Sequence, residues 1–301
     1  MTNFNKKLIN YFPFLLLLWG SQLFSQTVPY NKNYQIACHN CYDPKYAENI
    51  EDVFSFTTAI EIDIWDNFQG SGILSAGNKM HGDWYVKHDP RHKGNLNCCG
   101  GSFGDCLRRI KAWSDKNPKH NVMTIFIDKK ENWSDRDETR KPTDLDRLIV
   151  SILSKEAIFS PSNLIGDKAN LKEATGSYWP SMDALKGKFI FVITDGTEIT
   201  IRKPLNEYIE AQKNKAVCFV APQISAENEI NSLTGFTLEN ARNVVFYNLK
   251  YPSDLSKNIS SINCLSRIFG SPETVESYHD LINKTVNFIA IDNYKLLKLK
   301  K

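Results

Sequence analysis

The sequence lacks any uninterrupted apolar run of the roughly 20 residues that a membrane-spanning helix requires. Its one candidate, residues 8–19, is shorter and is broken by Pro13. Glycine (15) and proline (12) are sparse, and the net charge is only +3, so neither a disordered chain nor a polybasic nucleic-acid binder is indicated. Internal repeats, low-complexity tracts and linkers are absent, which leaves one folded unit. No G-x-G-x-x-G follows the first apolar strand, and no second cysteine or histidine pair stands at zinc-ligand spacing.

The first 25 residues have the layout of a secretory signal peptide: Lys6 and Lys7, then the short apolar run, then small residues at Ser21 and Ser25. Cleavage is expected near Ser25–Gln26, leaving residues 26–301 as a single domain, secreted or periplasmic, with no transmembrane anchor. Removing two lysines and no acids lowers the formal charge from +3 to +1. No cysteine follows the apolar run, so a lipid anchor is not indicated. Export makes disulfides available to the seven cysteines. Cys98, Cys99 and Cys106 are close enough in sequence for Cys106 to bridge one of the other two. The odd total leaves at least one thiol unpaired unless it bonds another chain. Cys38 and Cys41 form C-x-x-C, but Tyr42-Asp43-Pro44 makes a loop where a redox motif would open a helix, so redox or zinc use is disfavoured.

Eight β-rich apolar runs recur at residues 34–38, 59–65, 84–88, 122–128, 188–195, 216–222, 244–250 and 286–292. Several are almost continuously apolar, as strands covered on both faces of a parallel sheet must be. Helices are predicted between them. Leu107, Ile110 and Trp113 recur at helical spacing; Thr143 caps a second candidate whose buried stripe is Leu145, Leu148, Ile149, Ile152 and Leu153. Others fall at 205–213, 237–242, 254–269 and 272–284, the last with Ser271 as cap and Pro272 at its first position. Eight strands alternating with helices predict an α/β fold, a (β/α)8 TIM barrel, with an open doubly wound sheet as the alternative. The longest connection, residues 131–187, is expected to form a rim over the site.

In such a barrel the C-terminal strand ends carry the chemistry. His39, Asp63, His88, Asp128, Asp195 and Asp292 all stand at or just past predicted strand ends. On the second run the period of two puts Glu61 and Asp63 on one face and Ile60, Ile62 and Ile64 on the other. Two histidines supply an acid and a base near neutral pH, and two carboxylates on one face hold a hard cation. The combination points to metal-assisted phosphodiester cleavage. His81, His92 and His279 read as loop or surface residues, and His120 lies at the opposite barrel end.

These residues also resemble a known family. Residues 34–42 (YQIACHNCY), 60–65 (IEIDIW) and 86–90 (VKHDP) resemble the first three strand motifs of phosphatidylinositol-specific phospholipase C enzymes. Cys106-Leu107, Trp113, Pro118, His120 and Ile127-Asp128-Lys129-Lys130 are similar to the secreted, calcium-dependent branch of this phospholipase C-like phosphodiesterase superfamily, and 288–292 (FIAID) to its closing strand. The resemblance implies a TIM barrel that cleaves the glycerol-phosphate ester of a phospholipid at a membrane surface. His39 would act as base or transition-state stabiliser and His88 as acid, the two roles being exchangeable. It further implies one Ca2+ held by Asn40, Glu61 and Asp63, with Asp128 completing the shell, Lys130 meeting the phosphate or pairing with Asp128, and Asp292 orienting His39. Calcium-independent relatives place an arginine where the ion would sit, and the second strand offers none. A monomer is expected. The alternatives are a glycerophosphodiester or sphingomyelin-type phosphodiesterase, or a non-catalytic binding barrel. The glycerophosphodiesterase Arg-Gly after the first histidine is missing, and a pure binder would need no such acid, base and metal set. Cysteines flank His39-Asn40 where the family has small or hydroxyl residues.

Overall fold

A computed structural model describes residues 28–66, 82–88, 98, 101–133, 140–195 and 202–298. The expected signal segment, the Asp89-Pro90 part of the third motif, His81, His92 and Cys99 lie outside them. The described strands are β1 (Gln35–Cys38), β2 (Ala59–Trp65), β3 (Tyr85–Val86), β4 (Met123–Lys129), β5 (Phe189–Asp195), β6 (Cys218–Ala221), β7 (Gln223–Ile224), β8 (Phe246–Lys250), β9 (Leu265–Phe269) and β10 (Phe288–Ile291). The helices are α1 (Ile50–Val53), α2 (Phe103–Lys116), α3 (Pro142–Leu153), α4 (Pro161–Ile165), α5 (Leu171–Ser177), α6 (Lys203–Gln212), α7 (Leu238–Ala241), α8 (Ser256–Ser261) and α9 (Val275–Asn283).

The sheet runs β6-β5-β4-β2-β1-β10-β9-β8-β7, parallel throughout. β6 and β7 are one strand interrupted at Pro222, whose missing N–H breaks the ladder. β6 pairs with β5 and β7 with β8, so the path closes into the expected eight-stranded barrel. Its membership differs from the sequence prediction in one place. Residues 84–88 supply no barrel stave: β3 is short and antiparallel, laid against the end of β2 through Ile64↔Val86 and Trp65↔Tyr85. The missing stave is β9, inside the stretch predicted as a helix over 254–269. Leu255, Ile259, Ile262 and Leu265 mimic a helical stripe, but α8 stops at Ser261 and Asn263 takes a left-handed φ of 58° that no helix continues through.

Two predicted caps also shift by a few residues. Thr143 is exposed inside α3, which starts at Pro142 behind Lys141. The last helix begins at Val275 and is capped by Thr274, whose side chain accepts from the Ser277 N–H, and not by Ser271. The amphipathic α2 meets its prediction, with Leu107 and Ile110 buried. Ser102 accepts from the Asp105 N–H at its start.

Among its described residues, the connection over 131–187 crosses the opposite end of the barrel beyond α3, where the strands begin, and residues 134–139 lie outside the described residues. Lys172 N–H donates to Arg242 O, Trp179 Nε1 to Asn263 O and Gly187 N–H to His120 O, all just before strands. Glu131, Asn132 and Arg140 are described at the site end. There Lys129 Nζ, fully buried, donates to Asp66 Oδ1 (2.8 Å) and Glu131 O (2.7 Å). Trp84 Nε1 donates to the same Asp66 oxygen (2.9 Å), Asp66 N–H to Glu131 (2.6 Å), and Arg140 Nε to Asp83 O (2.9 Å). This network ties the ends of β2 and β4 to the chain entering β3.

The barrel interior is graded. At the strand-start end Tyr30 plugs the core, bonding Thr124 (2.8 Å) and packing on Trp179, Phe246 and Phe288. Phe126 packs edge-on against Phe288 above it (5.1 Å), and charged residues begin only beyond that layer. Removing one partner of a buried ion pair strands the other, at a cost of about 3–5 kcal/mol. Lys129→Met is therefore expected to lower the unfolding free energy by about that amount in urea titration; an unchanged midpoint would contradict the role given to the network.

Candidate active site

The site is built from the ends of β1, β2, β4 and β10 and from His88, two residues beyond β3. On β2, Glu61 and Asp63 point inward and are essentially fully buried. The parallel register sets Asp63 beside Asp128 of β4. Oxygens of Glu61, Asp63 and Asp128 lie within 4.8 Å of one another. Such a cluster would repel itself without counter-charge, and two side chains supply it. Lys130 Nζ pairs with Asp128 and stands 3.1 Å from Asp63 Oδ2. Arg267 of β9 pairs with Glu61 and donates to Asn248 Oδ1 (2.7 Å). Thr194 Oγ1 donates to Asp128 Oδ1 (2.9 Å), which fixes the third carboxylate.

The two histidines face each other over this cluster, with ring centroids 6.2 Å apart. His39 follows β1, its N–H bonded to Ile291 O (3.0 Å), and its Nδ1 donates to Asp292 Oδ1 (3.1 Å). That bond leaves Nε2 facing Glu61 Oε2 at 3.6 Å. Asp292 is itself held, since its N–H and that of Asn293 both donate to Glu273. His88 is carried by the β3 pairing and by Trp65 Nε1, which donates to the Lys87 carbonyl (2.7 Å). Its Nδ1 donates to Asp63 Oδ2 (3.2 Å). Each imidazole therefore has Nδ1 on a carboxylate and Nε2 directed elsewhere, which is the tautomer arrangement an acid–base pair needs.

The electrostatics follow from these contacts. Burial works against a charged His39, but Glu61 and the Asp292 bond outweigh it and raise the pKa above the ordinary histidine value. The bond to Asp63 raises His88 in the same direction. Burial pushes Glu61 up, partly offset by Arg267 and His39. Asp63, although equally buried, is held below the ordinary carboxylate value by Lys130 and by its bond to His88.

Asn40 is buried; its Nδ2 donates to Asp292 Oδ1 (2.8 Å), and its Oδ1 accepts from Tyr42 Oη (3.1 Å). A disulfide joins Cys38 to Cys41, so the C-x-x-C pair closes on itself around His39-Asn40 and does not reach the loop cysteines. Cys106 pairs with Cys98, as the local-bridge expectation allowed, while Cys218 and Cys264 are buried thiols. Asp195 lies apart from the metal-type cluster: it accepts the Gln223 N–H (3.2 Å) across the β6–β7 break, and burial pushes it up to about 7. His120 is buried between Trp113 and Phe189 at the far end, bonded to Ser114, and His279 is exposed on α9. Sequence reasoning missed Arg267 and Tyr42. The alternation of Leu265, Arg267 and Phe269 against Ser266 and Ile268 was the available signal for the first, and a tyrosine two residues after Asn40 for the second.

The donor set fits a hard divalent cation. The three converging side chains, Glu61, Asp63 and Asp128, offer carboxylate oxygens, and Asp63 Oδ1 is buried with no hydrogen-bond partner, a costly condition that a bound cation would relieve. Asp292→Asn removes a carboxylate that, with Glu61, sustains the His39 imidazolium. It is expected to lower the His39 pKa, read from its ring-proton NMR titration in the metal-free protein; an unmoved or raised value would show that Asp292 does not set this ring's charge.

The phosphoinositide phospholipase C, Ca2+-dependent, family profile matches residues 95–233. A calcium-dependent phosphoinositol-specific phospholipase C from Pseudomonas sp., solved as a myo-inositol complex, is 27% identical with a TM-score of 0.81 over 89% of this chain and 91% of that one. The apo form of the Pseudomonas enzyme in another crystal form is 28% identical with a TM-score of 0.80 and the same coverage. A Ca2+-dependent phosphatidylinositol-specific phospholipase C from Streptomyces antibioticus, 20% identical, shares the fold with a TM-score of 0.74 over 90% of this chain and 97% of that one. Comparison with curated proteins returns no match. With its closed parallel barrel, facing histidine pair and buried carboxylates beneath it, the chain is similar in fold and in part of its sequence to calcium-dependent phosphoinositide phospholipases C.

Proposed function

We propose that the protein is a calcium-dependent phospholipase C that cleaves phosphatidylinositol at the glycerol-phosphate ester, giving diacylglycerol and an inositol phosphate. The observation that carries this reading is the histidine pair, 6.2 Å apart between ring centroids, over three converging carboxylates. Phosphodiester cleavage needs a base at the attacking hydroxyl, an acid at the leaving oxygen and positive charge at the phosphate. His39 Nε2 accepts the proton of the inositol 2-hydroxyl while Asp292 holds Nδ1–H and supports the imidazolium that forms. His88 delivers a proton from Nε2 to the departing glycerol oxygen, with Asp63 holding its Nδ1–H. Microscopic reversibility lets the same pair exchange roles when water opens the cyclic inositol phosphate.

Asn40, Glu61, Asp63 and Asp128 would hold one Ca2+, which supplies Lewis-acid neutralisation of the phosphate and acidifies a hydroxyl near it. Tyr42 positions Asn40, and Arg267 anchors Glu61. Lys130 adds a cation near the phosphate. The substrate would be met at a membrane surface by a monomer comprising residues 26–301, exported by the N-terminal segment. Among the described residues no helix is long and apolar enough to cross a membrane.

Mature protein is expected to release water-soluble inositol phosphate from phosphatidylinositol vesicles, to lose this with EDTA and to regain it with Ca2+. His39→Ala and His88→Ala should each cost about two to four orders of magnitude in kcat, the range of a lost acid or base. Full activity in either variant, or preference for glycerophosphodiesters or sphingomyelin, would overturn the assignment.

A further inference from the structure

The carboxylate cluster already contains a cation. The Lys130 ammonium bonds Asp128 and stands 3.1 Å from Asp63 Oδ2, so it bridges two of the three converging acids. The other counter-charge, Arg267, is only 3% exposed and is clamped between Glu61 and Asn248 in the barrel interior. Lys130 differs in both respects. Its side chain keeps 19% exposure at the barrel mouth and has a flexible four-carbon stem, while its backbone N–H stays fixed to Ile64 O (3.1 Å). One counter-ion is locked in place and the other can leave without disturbing the sheet.

We propose that Lys130 is a built-in competitor for the metal: its ammonium holds Asp63 and Asp128 together in the metal-free protein and is displaced when the divalent cation binds. The inference rests on the calcium reading above and adds to it an exchange of one cation for another. Three carboxylates against Lys130 and Arg267 leave the cluster with one uncompensated negative charge. A divalent ion added with Lys130 still in place would put two cations on shared oxygens at a few ångströms, where repulsion in a poorly solvated site is large. Asp63 offers both faces of the exchange. Its Oδ2 is shared by Lys130 and His88, while its buried Oδ1 has no partner and awaits the incoming ion. Once displaced, the ammonium remains tethered at the mouth, where the substrate phosphate arrives. Lys130 thus weakens metal binding in the empty enzyme and couples it to the arrival of an anion.

The test is calorimetric titration of Ca2+ into metal-free, lipid-free mature protein and into Lys130→Met, at fixed ionic strength. Competing ligands typically shift each other by about five- to 150-fold, so the variant should bind Ca2+ on the order of ten- to a hundredfold more tightly. Equal or weaker binding would overturn the competitor role while leaving the calcium reading intact. Absence of Ca2+ binding in the unaltered protein would overturn both. Should Lys130→Met fail to fold, the Lys130 Cε and Nζ NMR signals of the unaltered protein decide: a clear shift on Ca2+ addition supports displacement, and signals that stay in place refute it.

Discussion

Three carboxylates buried within 4.8 Å of one another are the constraint to which the rest of this barrel mouth answers. Glu61, Asp63 and Asp128 are brought together by the period of β2 and its register with β4. Bringing like charges together out of water is strongly unfavourable unless each is compensated. Every neighbouring group can be read as a response: Arg267 and Lys130 as counter-ions, His88 and Thr194 as donors, and the unsatisfied Asp63 Oδ1 as the place where a further cation belongs. The same electrostatic tension suits the site to a divalent ion and raises the histidine pKa values.

The fold confines that tension to one end. Tyr30, Phe246, Phe288 and Phe126 fill the interior from the strand-start end upward, so charge appears only where strands finish and solvent is near. Rigid elements carry the reactive groups. His39 is pinned between β1, the β10 carbonyl at Ile291 and the Cys38–Cys41 bridge, and His88 is pinned through Trp65 and β3. Such anchoring keeps two imidazoles at working separation without substrate present.

Much of this was legible in the sequence, and the reasons are local. His39, Glu61, Asp63, Asp128 and Asp292 sit on or just beyond strongly apolar strands, where the period of two and the strand-end rule locate a side chain without knowledge of its neighbours. What failed depended on long-range pairing. Residues 84–88 look like a barrel strand, and only their antiparallel contact with β2 reveals that they are a flap carrying His88. β9 was hidden because Ser266 and Arg267 break its apolar run, and Arg267 is there because Glu61, 206 residues earlier, requires it. A buried charge makes a strand look like a solvated helix until its partner is known. Nor does anything local say that the 131–187 connection crosses the strand-start end beyond α3.

The most direct test is a crystal structure of the mature protein with saturating Ca2+. One ion should lie against oxygens of Glu61, Asp63 and Asp128 at about 2.3–2.6 Å, below His39 and His88, with Asp63 Oδ1 among its ligands. An ion bound elsewhere, or this cluster left with Lys130 still bridging Asp63 and Asp128 at saturating Ca2+, would contradict the account.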